Sequence, residues 1–269
     1  MSELTETAAP GPVFAAELQE LIRAVFRKFV SADGLEVDYK ALWASDEFRD
    51  YVLKSEQLAD FKPITLESRG QRLAFWINLY NIMVIHKVEL LGVGKKVREA
   101  KGFFDHGAAN IGGFAYSLND IEYGILRGNA RRSPRAWRHL LPWDVRRRLA
   151  LAPAEPRVCF ALVRASRSSP PLRFYEEDWV EGQLHRAAAH FFSHGGVVID
   201  RERDIISLSR LFHVFSPDFG GDQGVMRFIA GHLESPDDAA FIRVRAGKSK
   251  VKFQDFDWSL NGKSDLSVE

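Results

Sequence analysis

The sequence predicts an α+β fold in which several helices surround one central buried helix and pack on a mixed or antiparallel sheet. Helical periodicity dominates the first half of the chain, whereas the second half contains several short strand-like segments. These segments do not alternate regularly with helices, which argues against a parallel α/β sheet. With 269 residues that are 46% hydrophobic and 12% aromatic, the chain can bury a large core, and we expect one domain over residues 12–262.

The first predicted element is an amphipathic helix. Apolar residues recur at helical spacing from Phe14 to Phe29, and Pro12 suits the first position of a helix. Residues 1–11 before this helix are polar, so we expect a disordered tail there. Residues 263–269 are expected to form a flexible C-terminus.

A second long helix is predicted from Ser68 to Gly92. Within it, residues 73–84 (LAFWINLYNIMV) carry only two strongly polar side chains, Asn78 and Asn81. A helix without a solvent face is expected in the middle of the fold. Because an unpaired buried amide costs about 1–3 kcal/mol, both asparagines are expected to bond to neighbouring loops.

The remaining predicted elements are shorter. The sequence Ser117 to Asp120 (SLND) is typical of a capping box, which predicts a helix as far as Gly128. The apolar run Val158 to Val163 (VCFALV) predicts a buried strand that leads into a serine-rich loop. Further patterns predict a helix over 176–194, strands over 197–199 and 205–208, a helix over 223–233, and edge strands over 241–245 and 250–253.

Charge and cysteine content exclude several kinds of protein. The 37 Lys and Arg against 36 Asp and Glu leave a formal charge of +1, so no overall field draws the chain to nucleic acid or to an anionic membrane. The start of the chain has no apolar signal region, and no apolar run reaches the length of a spanning helix, so we expect a cytoplasmic protein that contacts no membrane. The single cysteine, Cys159, excludes an internal disulfide and an all-cysteine metal site. We predict no cofactor.

Two further patterns concern ions. His190 and His194 lie one helical turn apart, but the motif H-E-x-x-H is not met, so we predict no metal site. Residues 127–148 contain many arginines, two tryptophans and a single acid, Asp144, which leaves polyanion binding as an alternative function. Charge runs mostly form solvated faces, so nucleic acid is the less favoured partner. The arginines are Arg127, Arg131, Arg132, Arg135, Arg138, Arg146, Arg147 and Arg148.

Five ordered segments carry a resemblance to a known family. They are AFWINLYNIMVIH (74–86), SLNDIEYGILR (117–127), EPRVCFALVRASRSSPPLRFY (155–175), SLSRLFHVFSPDFG (207–220) and DFDWSLN (255–261). On these segments the chain resembles a divergent member of the domain of unknown function 547 family. The resemblance covers most of residues 35–261.

The resemblance implies a reactive site from which this chain departs. Family members usually carry a histidine and, in a Ser-Cys-Pro loop, a cysteine in the third segment, with a Glu-His pair in the second. A cysteine, a histidine and a carboxylate together imply thiol acyl-transfer chemistry, on a scaffold that resembles papain-like or transglutaminase-like enzymes. Here the three positions hold Cys159, Ser169 and Tyr123, whereas Glu122 is retained. Whether the chain is an enzyme is left open by these replacements.

The hypothesis that we favour is a catalytically degenerate member that uses the inherited pocket to bind an unknown small molecule or a protein partner. An alternative is an active acyl or amide hydrolase with Ser169 as nucleophile and Glu122 as its base or orienter. Two of the residues also have a structural interpretation, since Ser169 before Pro170 suits a helix N-cap and Cys159 suits a buried apolar position. The candidate binding residues are Asn78, Asn81, Tyr123, Arg127, Cys159 and Asp218.

Overall fold

The structure is a computed structural model that describes residues 11–132 and 135–263. The predicted disordered tail and flexible C-terminus, apart from Gly11 and Lys263, lie outside these residues. The α-helices are α1 (Pro12–Phe29), α2 (Tyr39–Trp43), α3 (Asp46–Ser55), α4 (Arg69–Leu90), α5 (Val180–Phe191), α6 (Arg210–Phe215), α7 (Asp222–His232) and α8 (Pro236–Arg245). The strands are β1 (Gly107–Ile111), β2 (Phe114–Ser117), β3 (Val197–Asp200), β4 (Ile205–Leu208) and β5 (Lys250–Phe253).

Helix α4 is the central buried helix that the sequence predicts. It begins at a capping box, in which the Ser68 hydroxyl accepts from the Gln71 N–H (2.9 Å) and the Gln71 side chain accepts from the Ser68 N–H (3.1 Å). Every residue from Leu73 to Ile85 is buried, and α1, α5 and the Asp120–Leu126 helix pack around them. Although α4 is long and apolar, neither it nor any other helix in the described residues is long and apolar enough to cross a membrane.

In the described residues, two small sheets form the β part of the α+β fold. Strands β1 and β2 make an antiparallel hairpin whose turn, Gly112 and Gly113, has φ values of 60° and 82°, the left-handed region that glycine favours. In the second sheet, β4 pairs antiparallel with β3 and parallel with β5. This sheet is therefore mixed, as predicted, but both sheets are small and helices make up most of the fold.

Residues 158–163 do not form the predicted buried strand. Pro156–Phe160 is a 3-10 turn, and the chain continues from it without regular structure. The backbone here bonds to a side chain instead of a neighbouring strand, because Asn81 donates to the Ala161 carbonyl (2.9 Å) and accepts from the Val163 N–H (3.0 Å). A short apolar run is compatible with any buried conformation, so hydrophobicity alone could not identify this one.

The edge strand predicted over residues 241–245 is also wrong. This segment is the end of α8, which Pro236 begins and Ser235 caps by accepting a backbone N–H three residues further on (3.2 Å). The buried residues of α8, Ala239 and Ile242, are three apart, which is a helical spacing. The predicted strands over 197–199, 205–208 and 250–253 are present.

A smaller hydrophobic cluster joins the C-terminal helices to the Pro156–Phe160 turn. The ring of Phe160 lies 5.2 Å from that of Phe191, 5.4 Å from that of Phe192 and 5.5 Å from that of Phe212. Its neighbour Val158 belongs to the larger cluster around α4. The turn therefore connects the two clusters, and Arg164 follows it closely in the chain.

Candidate functional site

The candidate site is built on the helix that follows the predicted capping box. The Ser117 hydroxyl accepts from the Asp120 N–H (3.0 Å), and the Asp120 carboxylate accepts from the Ser117 N–H (2.8 Å). The helix Asp120–Leu126 is wider than an α-helix, because the Arg127 N–H donates to the Glu122 carbonyl five residues earlier (2.9 Å). Such π-type turns are frequent at functional sites. Here the turn carries Glu122, which is 1% exposed.

A buried network of alternating charges surrounds Glu122. Its carboxylate accepts from both terminal nitrogens of Arg164 (3.1 and 3.3 Å) and from the Tyr80 hydroxyl (3.3 Å). A second guanidinium, that of Arg127, lies 3.8 Å from Glu122 and donates to both oxygens of Asp218 (2.6 and 3.1 Å). Two carboxylates and two guanidiniums therefore alternate through the interior, and each supplies counter-charge to the next.

The network keeps Glu122 ionised. Burial opposes its ionisation, but the charge and hydrogen bonds of Arg164, together with Arg127, outweigh burial and lower the pKa of the carboxyl group below its ordinary value. A general base needs a pKa near the working pH and a free lone pair toward its substrate. The lowered pKa of Glu122 and its bonds to Arg164 on both oxygens suit a counter-ion that holds Arg164.

Glu122 and Arg164 line a pocket of about 280 Å³, which we call the Glu122 pocket. Its other charged residues are Asp105, Arg132 and Arg210, of which Asp105 and Arg132 pair with each other (2.6 Å). The apolar wall includes Phe104, Phe256 and Trp258. The pocket thus combines guanidinium groups with aromatic rings at one opening.

Tyr123 lines the Glu122 pocket at the position where the resemblance implies a histidine. Its ring packs on the Arg127 guanidinium (4.4 Å) and stacks on the ring of His139 (5.8 Å between centroids). Burial raises the pKa of the Tyr123 hydroxyl, and Glu122 adds to that effect. An imidazole is therefore present beside this position, but it is supplied by His139, which bonds to Asp120 (2.9 Å).

The pKa of Asp120 should make stability depend on pH. Burial alone would raise this pKa, but hydrogen bonds from His139 and Ser117 and the charge of Arg146 lower it to about 2. A carboxylate whose pKa is lowered by folding stabilises the protein at pH values above its ordinary pKa of 3.8. This stabilisation is lost as the pH falls through about 2. At neutral pH we expect Asp120→Asn to lower the free energy of unfolding by about 1–2 kcal/mol, after allowance for solvent screening.

Urea denaturation of the wild type and of Asp120→Asn across the acid range measures this effect. The difference between them should shrink between about pH 4 and pH 2. The matched control is Asp50→Asn, because Asp50 is exposed and forms no ion pair with the described residues. A difference that stayed constant with pH would mean that folding does not lower the pKa of Asp120.

Cys159 and Ser169 do not line the Glu122 pocket. Cys159 is 1% exposed, and burial raises the pKa of its thiol well above the ordinary value. Ser169 lines a different pocket, together with His190 and His194. Its hydroxyl oxygen accepts from the backbone N–H groups of Arg164 (2.9 Å) and Ser166 (3.2 Å), which closes a turn. The N-cap interpretation of Ser169 is wrong, because no helix begins after it.

The two asparagines of α4 form hydrogen bonds to the backbone of segments that pack against the helix. The Asn78 side chain donates to the Tyr175 carbonyl (2.7 Å) and accepts from the Tyr175 N–H (2.9 Å). Asn81 makes the same pair of bonds to Ala161 and Val163. Both are fully buried and neither lines the Glu122 pocket. The structure thus brings together Glu122, Tyr123, Arg127 and Asp218 from the candidate residues, and it leaves Asn78, Asn81 and Ser169 elsewhere.

Arg164, the main partner of Glu122, was not predicted from the sequence. Arg164 stands in the third family segment, directly after an apolar run, and that position was a usable signal for a buried ion partner. Two further residues were not predicted: Tyr80, whose hydroxyl donates to Glu122, and Arg210, which lines the pocket. Tyr80 could have been inferred because it lies on α4 between the two buried asparagines.

Many arginines of the basic segment are bonded within the protein. Arg132 pairs with Asp105, Arg138 donates to the Asn129 carbonyl, and Arg147 donates to the Pro142 carbonyl. Arg127 and Arg146 likewise pair with carboxylates. Because these five arginines are already bonded within the protein, fewer of the segment's cations are free to bind a polyanion. Within the described ranges, no cluster of three or more His, Cys, Asp or Glu residues could hold a metal ion.

The comparison with known proteins gives one match. A family model described as a protein of unknown function, DUF547, matches residues 64–192. The matched range includes α4, the Asp120–Leu126 helix and Arg164, and therefore the Glu122–Arg164 pair and Tyr123. No curated protein and no solved structure matches the chain.

Proposed function

The chain belongs to the DUF547 family of proteins of unknown function, and on that premise we propose that it is a non-catalytic member that binds a small anionic ligand with a flat apolar part in the Glu122 pocket. The observation that carries the proposal is Arg210. This exposed residue lines the pocket and forms no ion pair with the described residues. A free guanidinium at a pocket is a site for a carboxylate or phosphate group.

The chemistry of the implied reactive positions supports a non-catalytic role. A thiol nucleophile must reach the thiolate state and must be accessible, but Cys159 is buried and its pKa is raised. A serine nucleophile needs a base within hydrogen-bonding distance, but Ser169 and Glu122 line different pockets. His190 and His194 share the pocket of Ser169, but the Ser169 hydroxyl bonds to the Arg164 and Ser166 backbone and to the Ser166 hydroxyl instead. Glu122 is moreover engaged by Arg164 on both oxygens.

The charge of the Glu122 pocket supports an anionic ligand. Three guanidinium groups, those of Arg132, Arg164 and Arg210, face two carboxylates, those of Asp105 and Glu122. Because Arg164 and Arg132 are held by these carboxylates, Arg210 supplies the positive charge in excess. An arriving anion would complete the pairing and would bond to Arg210 in a bidentate arrangement.

The aromatic wall supports a flat ligand. The rings of Phe256 and Trp258 lie 4.6 Å apart, and that of Phe104 lies 6.3 Å from Trp258. Aromatic rings favour offset or edge-on contact with another ring, which contributes about 0.5–1.5 kcal/mol beyond the burial of apolar area. The volume of about 280 Å³ suits a ligand of one or two fused rings.

Titration calorimetry with 2-naphthoate, a flat aromatic carboxylate, tests the proposal. We expect the wild type to bind it, and we expect Arg210→Gln to weaken binding by roughly 10-fold or more, since a charge-assisted hydrogen bond contributes about 1.5–3 kcal/mol. Arg227→Gln is the matched control, because Arg227 is exposed and lies outside the pocket. It should leave the affinity unchanged.

Two results would contradict the proposal. Equal affinity of the wild type and Arg210→Gln would place the ligand elsewhere. A serine-reactive phosphonate that labelled Ser169 stoichiometrically, with labelling abolished in Ser169→Ala, would show that the chain is a hydrolase and not a non-catalytic member.

A further inference from the structure

A groove on another part of the surface exposes three large apolar side chains. Ile64, Phe114 and Val145 line it, with 55%, 45% and 49% of their surface exposed. The groove has a volume of about 180 Å³ and shares no lining residue with the Glu122 pocket. We call it the Phe114 groove.

The three side chains come from separate parts of the chain. Ile64 lies in the short turn Pro63–Thr65, Phe114 begins strand β2, and Val145 begins the turn Val145–Leu149. Exposed apolar residues that occur singly are ordinary, whereas three that line one concavity give a shared apolar surface for a partner. Local sequence cannot cause such a convergence, because tertiary packing brings the three segments together.

The rim of the Phe114 groove is positively charged. Lys62 and Arg148 line it, are exposed, and form no ion pair with the described residues. The third cation, Arg146, pairs with Asp144 and Asp120 and lies over the ring of Tyr116 at 5.0 Å. Among the described residues that line the groove there is no Asp or Glu. The groove therefore presents an apolar surface that is flanked by two cations, Lys62 and Arg148, which have no ion-pair partner among the described residues.

We propose that the Phe114 groove docks an acidic peptide segment of a partner protein, with aliphatic side chains of that segment in contact with Ile64, Phe114 and Val145. Complementary charge supplies the specificity, because carboxylates of the segment would pair with Lys62 and Arg148. The concave shape favours inserted side chains over a flat lipid surface. A second copy of this chain is a poor occupant, since a two-fold contact would bring the two cationic rims together.

Fluorescence anisotropy with a labelled peptide of alternating leucine and glutamate tests the proposal. We expect binding to the wild type that weakens with salt, and no binding of the matching peptide of leucine and lysine. The double variant Lys62→Glu and Arg148→Glu should weaken binding by roughly 10-fold or more, as should Phe114→Ser. Phe253→Ser is the control, because Phe253 is 40% exposed and follows Lys252 on β5, away from the groove. It should bind like the wild type.

Three outcomes would overturn the proposal. Equal affinity of the charge-reversed variant would show that the cations do not recognise the peptide. Binding to vesicles that contain phosphatidylserine, reduced by the same variants while the peptide does not bind, would make the groove a membrane contact. Dimerisation of the wild type that Phe114→Ser abolishes would make it an interface between two copies. Because Arg210 lies outside the groove, failure here leaves the naphthoate result unaffected.

Discussion

Glu122→Gln is expected to lower the free energy of unfolding by about 3–5 kcal/mol. The substitution keeps the size of the side chain but removes the charge that faces Arg164 and Arg127, whose side chains are 11% and 2% exposed. Arg127 retains Asp218, whereas Arg164 loses its carboxylate partner. Burial of a guanidinium without a counter-charge destabilises the folded state, because nothing offsets the cost of its desolvation. Urea denaturation at neutral pH measures the difference.

The matched control and a second variant identify the cause. Glu202→Gln, at an exposed residue in the turn between β3 and β4, should change stability by less than about 0.5 kcal/mol. Adding Arg164→Met to Glu122→Gln should restore part of the lost stability, because the buried charge is then removed with its partner. If the double variant were less stable than Glu122→Gln alone, packing and not charge would explain the loss.

Helix α4 shows what the sequence could predict. Its apolar residues occupy every face, so only a central position satisfies them, and Ser68 and Gln71 mark its start. The capping box at Ser117 was equally readable, because its two hydrogen bonds join residues three apart in sequence. Elements of this kind are predictable because local bonds and a periodic pattern determine them together.

One error occurs where a distant side chain determines the backbone, and another where a local turn replaces a helix start. Residues 158–163 have the hydrophobicity of a strand, but their N–H and carbonyl groups bond to Asn81, about eighty residues earlier. Ser169 precedes a proline as an N-cap does, yet its hydroxyl closes a turn with Arg164 and Ser166. The Asn81 bonds leave no trace in the local sequence, whereas the Ser169 turn is local and competes with the helix that the following proline suggests.

The candidate site was predictable in part. Glu122 and Tyr123 followed from the family segments, and both line the pocket. The partner Arg164 is 42 residues from Glu122, and Asp218 is 91 residues from Arg127, so only the tertiary structure shows which charges pair. The same limit applies to Arg210, which becomes notable only because the other guanidiniums of the pocket are already paired.

Asn81→Ala is expected to lower the free energy of unfolding by about 2–4 kcal/mol, because it leaves two buried backbone groups without partners. The Asn81 side chain replaces the hydrogen bonds that a neighbouring strand would make. It donates to the Ala161 carbonyl and accepts from the Val163 N–H. Each such group costs about 1–3 kcal/mol when it is buried and unpaired, and some relaxation of the loop offsets the sum. Urea denaturation of the variant measures the loss.

The comparison variants separate a lost bond from a lost volume. Asn110→Ala, at an exposed residue of β1, should change stability by less than about 0.5 kcal/mol. Asn81→Leu fills the space but restores no hydrogen bond, so it should remain at least as destabilising as Asn81→Ala if the bonds are responsible. Full recovery in Asn81→Leu would instead assign the loss to a cavity. Because Val163 directly precedes Arg164, loss of the Asn81 bonds should also loosen the guanidinium that Glu122 holds, and naphthoate binding should weaken together with stability.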